Sequence, residues 1–445
     1  MNMDIELSGH FSYRRIIKSV IPSILMVLVS SVYGVFDGLF VSNFAGSTAF
    51  AAINLVMPVL IITGAVGFMI GTGGAALVSK TKGEGDNEKA NRQFSLLIWV
   101  TLVCGIILAV IVFIFFPDIV VWLGADDNMM RDCVLYGRVS LIALPFYILQ
   151  MVFQPFFMAA EKPMLGTKLS VICGVINIIG DALFVGLWRW GVIGAAIATG
   201  LGQMVGCVYP LIYFSSKKNT SSLSITKCSW DSKTILKSCS NGISEYVGNI
   251  AFCIVSLCYN LQLMSYIGEN GVSAYGVVMY VGMIFVSAFM GFSIAMTPVV
   301  GFHYGAQNKE ELHSLLKKSI ILMFSFGVIL FLLAQLTATA TTRIFVGYDQ
   351  ELMNLTLWAY KIYSINFVLC GINMFVSAFF TGLNNGFVSA LGATARSLVF
   401  ELGCVFVVPM IFGIDGIWMS VNIAEFLSCI FSFTLLAIFR KRYGY

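Results

Sequence analysis

The chain has 445 residues, 58% of them hydrophobic and 11% charged, with a mean hydropathy of +0.90, whereas soluble domains carry roughly 25% charged residues. So few charges cannot solvate a globular surface and suffice only for loops between segments solvated by lipid, which excludes a soluble enzyme. The net charge of +4 informs by its placement. Only about fifteen residues, ending in Tyr13-Arg14-Arg15, precede the first apolar run. No small-residue cleavage site follows at signal-peptide distance, so the first helix is expected to stay. Apolar stretches of about 20 residues bounded by charge or turn signals predict twelve helices, near 15–42, 48–78, 93–116, 130–158, 166–188, 192–214, 238–265, 272–302, 315–344, 353–381, 387–411 and 416–439. These runs are continuously apolar for five turns or more, so they are helices and not barrel strands.

Lys and Arg concentrate at one set of loops: the N-terminus (Arg14, Arg15, Lys18), the second loop (Lys80, Lys82, Lys89, Arg92), the fourth (Lys162, Lys168), the sixth (Lys217, Lys218, Lys227, Lys233, Lys237), the eighth (Lys309, Lys317, Lys318) and the C-terminus (Arg440, Lys441, Arg442). The odd-numbered loops offer Arg131, Arg189 and Arg343. The positive-inside rule then expects a multi-pass protein of the cell membrane with both termini cytoplasmic, as an even helix count requires. The eleven cysteines are scattered singly, without CxxC pairs, and read as small packing residues.

An internal repeat is the strongest signal. Gly46, Ala52, Val56, Met57 and Val59 recur as Gly268, Ala274, Val278, Met279 and Val281, and Gly191-Val-Ile-Gly194 recurs as Gly413-Ile-Asp-Gly416, always 222 residues apart. Six helices per copy is an even number, so both copies enter the membrane from the same side as parallel repeats. The expected organisation is an all-α fold of two six-helix lobes, residues 1–222 and 223–445, with a central cleft suited to alternating access.

Charges inside membrane helices are costly and hence functional candidates: Asp37, Asp181, Glu245, Glu401 and Glu425, with Arg138, Lys361 and Arg396. Asp37 continues a stripe with Ser30 and Tyr33 on the first helix. Asn177 and Asp181 share a face of the fifth, and Thr199 and Gln203 a face of the sixth. At about 1.5 Å rise per residue, Asp37, Asp181 and Thr199 all fall between mid-membrane and the outer surface. Two carboxylates, an amide and a hydroxyl form a hard-oxygen cluster suited to a desolvated Na+ or a shared proton. Asp37 alone also fits a helix-end turn, since it sits in Phe-Asp-Gly.

At these residues the chain resembles the multidrug and toxic compound extrusion (MATE) family. The resemblance rests on twelve helices in two sixes, Pro22 fifteen residues before Asp37, the turn Lys82-Gly83-Glu84-Gly85-Asp86 with its repeat Tyr304-Gly305-Ala306-Gln307-Asn308, and Asn177-x3-Asp181 followed eighteen residues later by Thr199. It implies that Asp37, Asn177, Asp181 and Thr199 form a cation site and that the first helix bends at Pro22. It also implies export of amphipathic, often cationic, compounds against inward Na+ or H+, with no other cofactor. Some members carry an acid in the tenth helix, where this chain has Lys361, Asn366 and Asn373. Expected partners are such small organic compounds and the bilayer, with no nucleic acid, and the expected state is a monomer.

Other features admit two readings. Glu245 with Asn249 opens a polar stripe for a cationic substrate, or is a first-turn acid complementing a helix N-terminus. Tyr147, Gln150 and Gln154, with Tyr33, line a substrate cleft or pack between helices. Glu401 and Glu425 neutralise Lys361 or Arg396, or act in function. Gly71-Thr-Gly73-Gly74 lacks a following Lys-Ser/Thr and reads as close helix approach, not a phosphate loop. His303 and His313 lack ligand partners, so a metal there is not expected. The alternative function is a flippase for lipid-linked oligosaccharide or polysaccharide, which needs a cleft rich in Arg and Lys. A membrane enzyme lacks any catalytic constellation, and an ATP-driven pump lacks a P-loop.

Overall fold

The computed structural model describes residues 5–445, and among them there is no β-strand. The helices are α1 (Tyr13–Phe44), α2 (Ser47–Gly83), α3 (Asn87–Trp122), α4 (Asp127–Ala159), α5 (Pro163–Asp181, continued by a wide π-helical stretch over Ala182–Leu187), α6 (Gly191–Ser215), α7 (Ser232–Tyr266), α8 (Glu269–Gly305) and α9 (Lys309–Val346). Next, α10 runs through Gln350–Tyr363, Ser364–Asn366 and Phe367–Gly382. The final hydrogen-bonded stretch, Gly386–Tyr443, is 58 residues long. It is two spans, α11 (386–412) and α12 (414–443), because Gly413 takes φ 60 and ψ −137, outside any helix. In one straight helix Cys404 and Ser420 would lie about 24 Å apart, yet Ser420 Oγ donates to Cys404 O at 3.0 Å. The chain therefore folds back at Gly413, and the described residues form twelve spans.

The repeat is visible in the backbone. Positive φ recurs 222 residues apart at Gly46 and Gly268, Gly85 and Gln307, and Gly191 and Gly413. The N-caps Asp86 and Asn308, also 222 apart, each accept a hydrogen bond from the amide three residues on, which satisfies a donor the helix start leaves free. The segment 216–231 joins the two copies. It is tied to the first six helices as far as Thr226, whose amide donates to Ser95 Oγ at 2.8 Å, while Ser224 N donates to Asn91 Oδ1 at 2.9 Å. Two apolar cores lie largely within the first six helices, and a third, centred on the last six, also takes in Ile16 and Val20 of α1 and Met158 of α4. The outer faces of α3 and α9 expose Ile107, Val110, Ile114, Ile329, Leu332 and Leu336, apolar surface that lipid solvates.

The two copies meet at the end of the bundle that carries both termini. Gly73 and Gly242 bring α2 and α7 into backbone contact, and Gly83 and Gly305 do the same for α2 and α8. Small residues allow this close approach, as the glycine run predicts. Ser238 Oγ donates to Ile70 O at 3.1 Å and Asn384 Nδ2 to Ala76 O at 3.3 Å, while Asn241 Nδ2 donates to Asn384 Oδ1 at 2.7 Å. Residues 5–12 strap across this face. Leu7 N donates to Glu161 Oε1 at 3.0 Å on one side, and Phe11 N to Glu311 Oε1 at 2.7 Å on the other, where His10 Nδ1 also meets Glu311 Oε2 at 2.7 Å.

Candidate functional site

Two polar clusters lie inside the apolar bundle, one in each copy. The first is built where small residues let α1, α5 and α6 converge. A Cβ at Gly174 of α5 would touch the Tyr33 ring of α1 at 3.2 Å, and one at Gly202 of α6 would meet Cys173 O of α5 at 3.0 Å. On this framework Asp37, Asn177 and Asp181 are buried, with 5%, 1% and 0% exposure. Asn177 Nδ2 donates to Thr199 Oγ1 at 3.1 Å, which leaves the amide oxygen pointing inward. The carboxyls of Asp37 and Asp181 lie within hydrogen-bonding reach of each other. Thus the structure brings together all four residues that the sequence grouped. Asp37 Oδ1, both oxygens of Asp181 and Asn177 Oδ1 find no donor among the described residues.

Such a set is chemically incomplete. Ionised carboxylates accept hydrogen bonds and donate none, and buried acceptors without donors are costly. A proton shared between the two acids, or a hard cation bound by the oxygens, supplies what is missing, so the residues fit Na+ or H+. Among the described residues no group of three or more His, Cys, Asp or Glu gathers as a metal site. Tyr136 of α4, buried one turn from Ser140, lies within electrostatic range of both acids and was not singled out by sequence. Asp181 also ends the regular part of α5 at the π-helical stretch, a distortion common at functional positions. Through Pro22, α1 remains one helix; Thr167 Oγ1 donates to Pro22 O at 2.7 Å.

The second cluster lines a cavity of about 280 Å³ between α7, α8, α10, α11 and α12, with Glu245, Asn249, Arg396, Glu401 and Glu425 among its walls. Glu425 is held from several directions. Its Oε1 accepts from Arg396 Nε at 2.9 Å and Nη2 at 2.5 Å, and its Oε2 from Asn373 Nδ2 at 2.6 Å. Asn373 in turn accepts from Ser432 Oγ at 3.1 Å. Of the two expected partners for the glutamates, Arg396 pairs with Glu425, while Lys361 is exposed on α10. Arg396 and Glu401 both belong to the π-helical stretch Ala395–Glu401. Four methionines, Met279, Met283, Met290 and Met374, supply adaptable apolar wall.

Glu245 is not a first-turn acid. Asp231 caps α7, and Glu245 lies fourteen residues further on, more than three turns inside the helix. Asn249 Nδ2 donates to the Glu245 backbone oxygen at 2.8 Å. The other expected cleft residues sit elsewhere. The Tyr147 ring rests on Gly64, and the Gln150 amide on Gly206. Gln154 is buried, with its Nε2 3.8 Å from Met151 Sδ. Tyr33 lies beside Asp37 and Tyr147. None of these four lines the second-copy cavity.

Known proteins agree with this architecture. The MatE family model matches residues 22–183 and 246–413, once in each copy. The multidrug export protein MepA of Staphylococcus haemolyticus (strain JCSC1435) is 24% identical over 423 residues, covering 95% of this chain and 92% of that protein. A crystal structure of MATE in complex with MaL6 superposes with a TM-score of 0.94 at 21% identity, over 100% of this chain and 99% of that one. The outward-facing conformation of a multidrug resistance MATE family transporter of the MOP superfamily superposes with a TM-score of 0.93 at 22% identity, over 100% and 99%. With both copies matched by the family and the whole chain sharing its fold, this polytopic helical protein belongs to the MatE family of transporters.

Proposed function

We propose that the chain is a secondary antiporter that exports amphipathic, often cationic, organic compounds from the cytoplasm in exchange for Na+ or H+. The single observation that carries this reading is the division of labour between copies. The first holds two neighbouring buried acids, with Asp37 Oδ1 and both Asp181 oxygens lacking a donor among the described residues, and the second holds an acid-rich cavity of about 280 Å³. Residues 1–222 and 223–445 act as two lobes that rock about the cleft between them, in a monomer in the cell membrane with both termini cytoplasmic. The contacts at Gly73, Gly242, Gly83 and Gly305 close the cytoplasmic side in the conformation described.

Asp37 and Asp181 repel when both are ionised and attract when they share a proton or flank a Na+ ion. Asp37 rides on α1, whereas Asp181 and Asn177 ride on α5, so the state of the pair sets how tightly α1 packs against α5 and α6. Bending of α1 at Pro22, whose missing N–H weakens the local ladder, accompanies that change. Because α1 also packs on α8 of the other lobe, its position biases the equilibrium between inward- and outward-open states, which is how an ion gradient drives substrate. Among the residues lining the cavity Arg396 is the one basic side chain and one edge of it is paired with Glu425, too little positive charge for a pyrophosphate, which speaks against a flippase for pyrophosphate-linked lipids. The test is dye efflux from proteoliposomes under separately imposed Na+ and pH gradients. One gradient alone is expected to drive efflux, and transport indifferent to both would refute the reading.

A further inference from the structure

The cavity of the second copy carries more than attraction for cations, because it also holds a guanidinium with an edge to spare. One edge of Arg396 is clamped: Nε and Nη2 donate to Glu425 Oε1, and Nη2 also approaches Cys370 Sγ at 3.3 Å. The Asn373–Ser432 pair fixes Glu425 from behind, so the guanidinium plane is set by packing and not by substrate. The remaining Nη1 donors take no protein acceptor among the described residues. The side chain, 24% exposed, opens there onto the cavity. Glu245 and Glu401 line the same space within electrostatic reach of Arg396, and among the described residues neither carboxylate accepts a hydrogen bond from a protein donor. Two free carboxylates and one free guanidinium edge thus share one small volume.

A plain cation in this space satisfies the carboxylates but leaves Nη1 desolvated without an acceptor. A site built to donate a hydrogen bond discriminates against ligands that lack the matching acceptor. We propose that Arg396 is a specificity-determining residue: its free edge takes a carboxylate of the substrate while Glu245 and Glu401 take a cationic centre, so that the cavity selects small zwitterions over simple cations of the same shape. The proposal rests on the reading that this cavity binds what the protein exports. The planar fork of arginine suits a carboxylate, and lysine offers the same charge without the fork.

Isothermal titration calorimetry on the purified full chain tests this with two probes of closely matched shape, 4-(trimethylammonio)benzoate and 4-isopropylphenyl-trimethylammonium. The zwitterion is expected to bind at least about tenfold more tightly, as a charge-assisted hydrogen bond gained over none. Arg396→Lys should weaken the zwitterion about tenfold and leave the cation within about twofold. Since removing Arg396 alone strands Glu425, Arg396→Gln with Glu425→Gln removes both charges together and should reverse the order of the probes. Equal wild-type affinities, no binding of either probe, or variants that change both probes by one factor would overturn the proposal. Gradient-driven dye efflux without any zwitterion preference would sink this inference and leave export standing, whereas the preference without gradient-driven efflux would do the reverse.

Discussion

Replacing Gly242 by valine attacks the contact that closes the face bearing the termini. A Cβ at Gly242 falls on the Met69 carbonyl oxygen and 3.0 Å from Gly73 N, and a Cβ at Gly73 would lie 2.5 Å from Gly242 N. These neighbours are backbone atoms of packed helices, so no side chain can swing aside; α2 and α7 must part. Overpacking of this kind costs about 1–3 kcal/mol. Charged against the closed state alone, 2 kcal/mol shifts a two-state equilibrium about thirtyfold toward the open one. Spin labels at the exposed Lys89 and Glu310 positions, in a background with the eleven cysteines replaced, report the separation of α3 and α9 by double electron–electron resonance. The short-distance population of the parent protein should give way to a longer one in Gly242→Val. Gly276→Val, whose Cβ meets nothing within 4 Å, should leave it in place. An unchanged distribution in folded, monodisperse Gly242→Val would refute the reasoning.

Further perturbations test other parts of the account. Glu311→Gln weakens the acceptor of Phe11 N and the pair with His10. It should cost about 1–3 kcal/mol locally and speed trypsin cleavage after Arg14 or Arg15, and unchanged cleavage would count against the strap. Gly413→Ala forces an L side chain into φ 60, ψ −137, a conformation that costs about 1–3 kcal/mol, so the apparent Tm should fall; an unaltered Tm would mean that the reversal between α11 and α12 does not depend on that glycine. Thr199→Val keeps shape but removes the acceptor of Asn177 Nδ2. The coupling-ion concentration for half-maximal efflux should rise about three- to tenfold, and an unchanged value would remove Thr199 from the site.

The architecture was legible because lipid imposes it: long apolar runs admit one solution, and the repeat of 222 residues carried the position of every special turn it named, including Gly191 and Gly413. Glu245 shows the limit of hydropathy. The polar opening of α7 delayed its apparent start to residue 238 and made Glu245 look terminal, although Asp231 was available as a capping signal. The four oxygen-bearing residues of the first copy could be grouped by helical spacing and depth. The nearness of Tyr136 to the acids could not, since it depends on how α4 is rotated against its neighbours. Neither π-helical stretch has a periodicity that distinguishes it from an α-helix, so the placement of Arg396 toward Glu425 rather than of Lys361 was open until the fold was known. The strap of residues 5–12 escaped for a similar reason: its partners, Glu161 and Glu311, lie about 150 and 300 residues away.

The claim on which the whole account turns is that Asp37 and Asp181 couple ion entry to substrate exit. Its most direct measurement is dye efflux from proteoliposomes driven by an imposed Na+ or pH gradient, comparing the parent protein with Asp37→Asn, Asp181→Asn, their double variant, Glu401→Gln and Glu425→Gln. Each single N-lobe variant should abolish gradient-driven efflux, and the double variant should be no worse, because groups that act as one unit are not additive. Glu401→Gln and Glu425→Gln should be milder. If both aspartate variants kept normal gradient dependence while Glu401→Gln or Glu425→Gln lost it, the coupling site would lie in the second copy and the account would be contradicted.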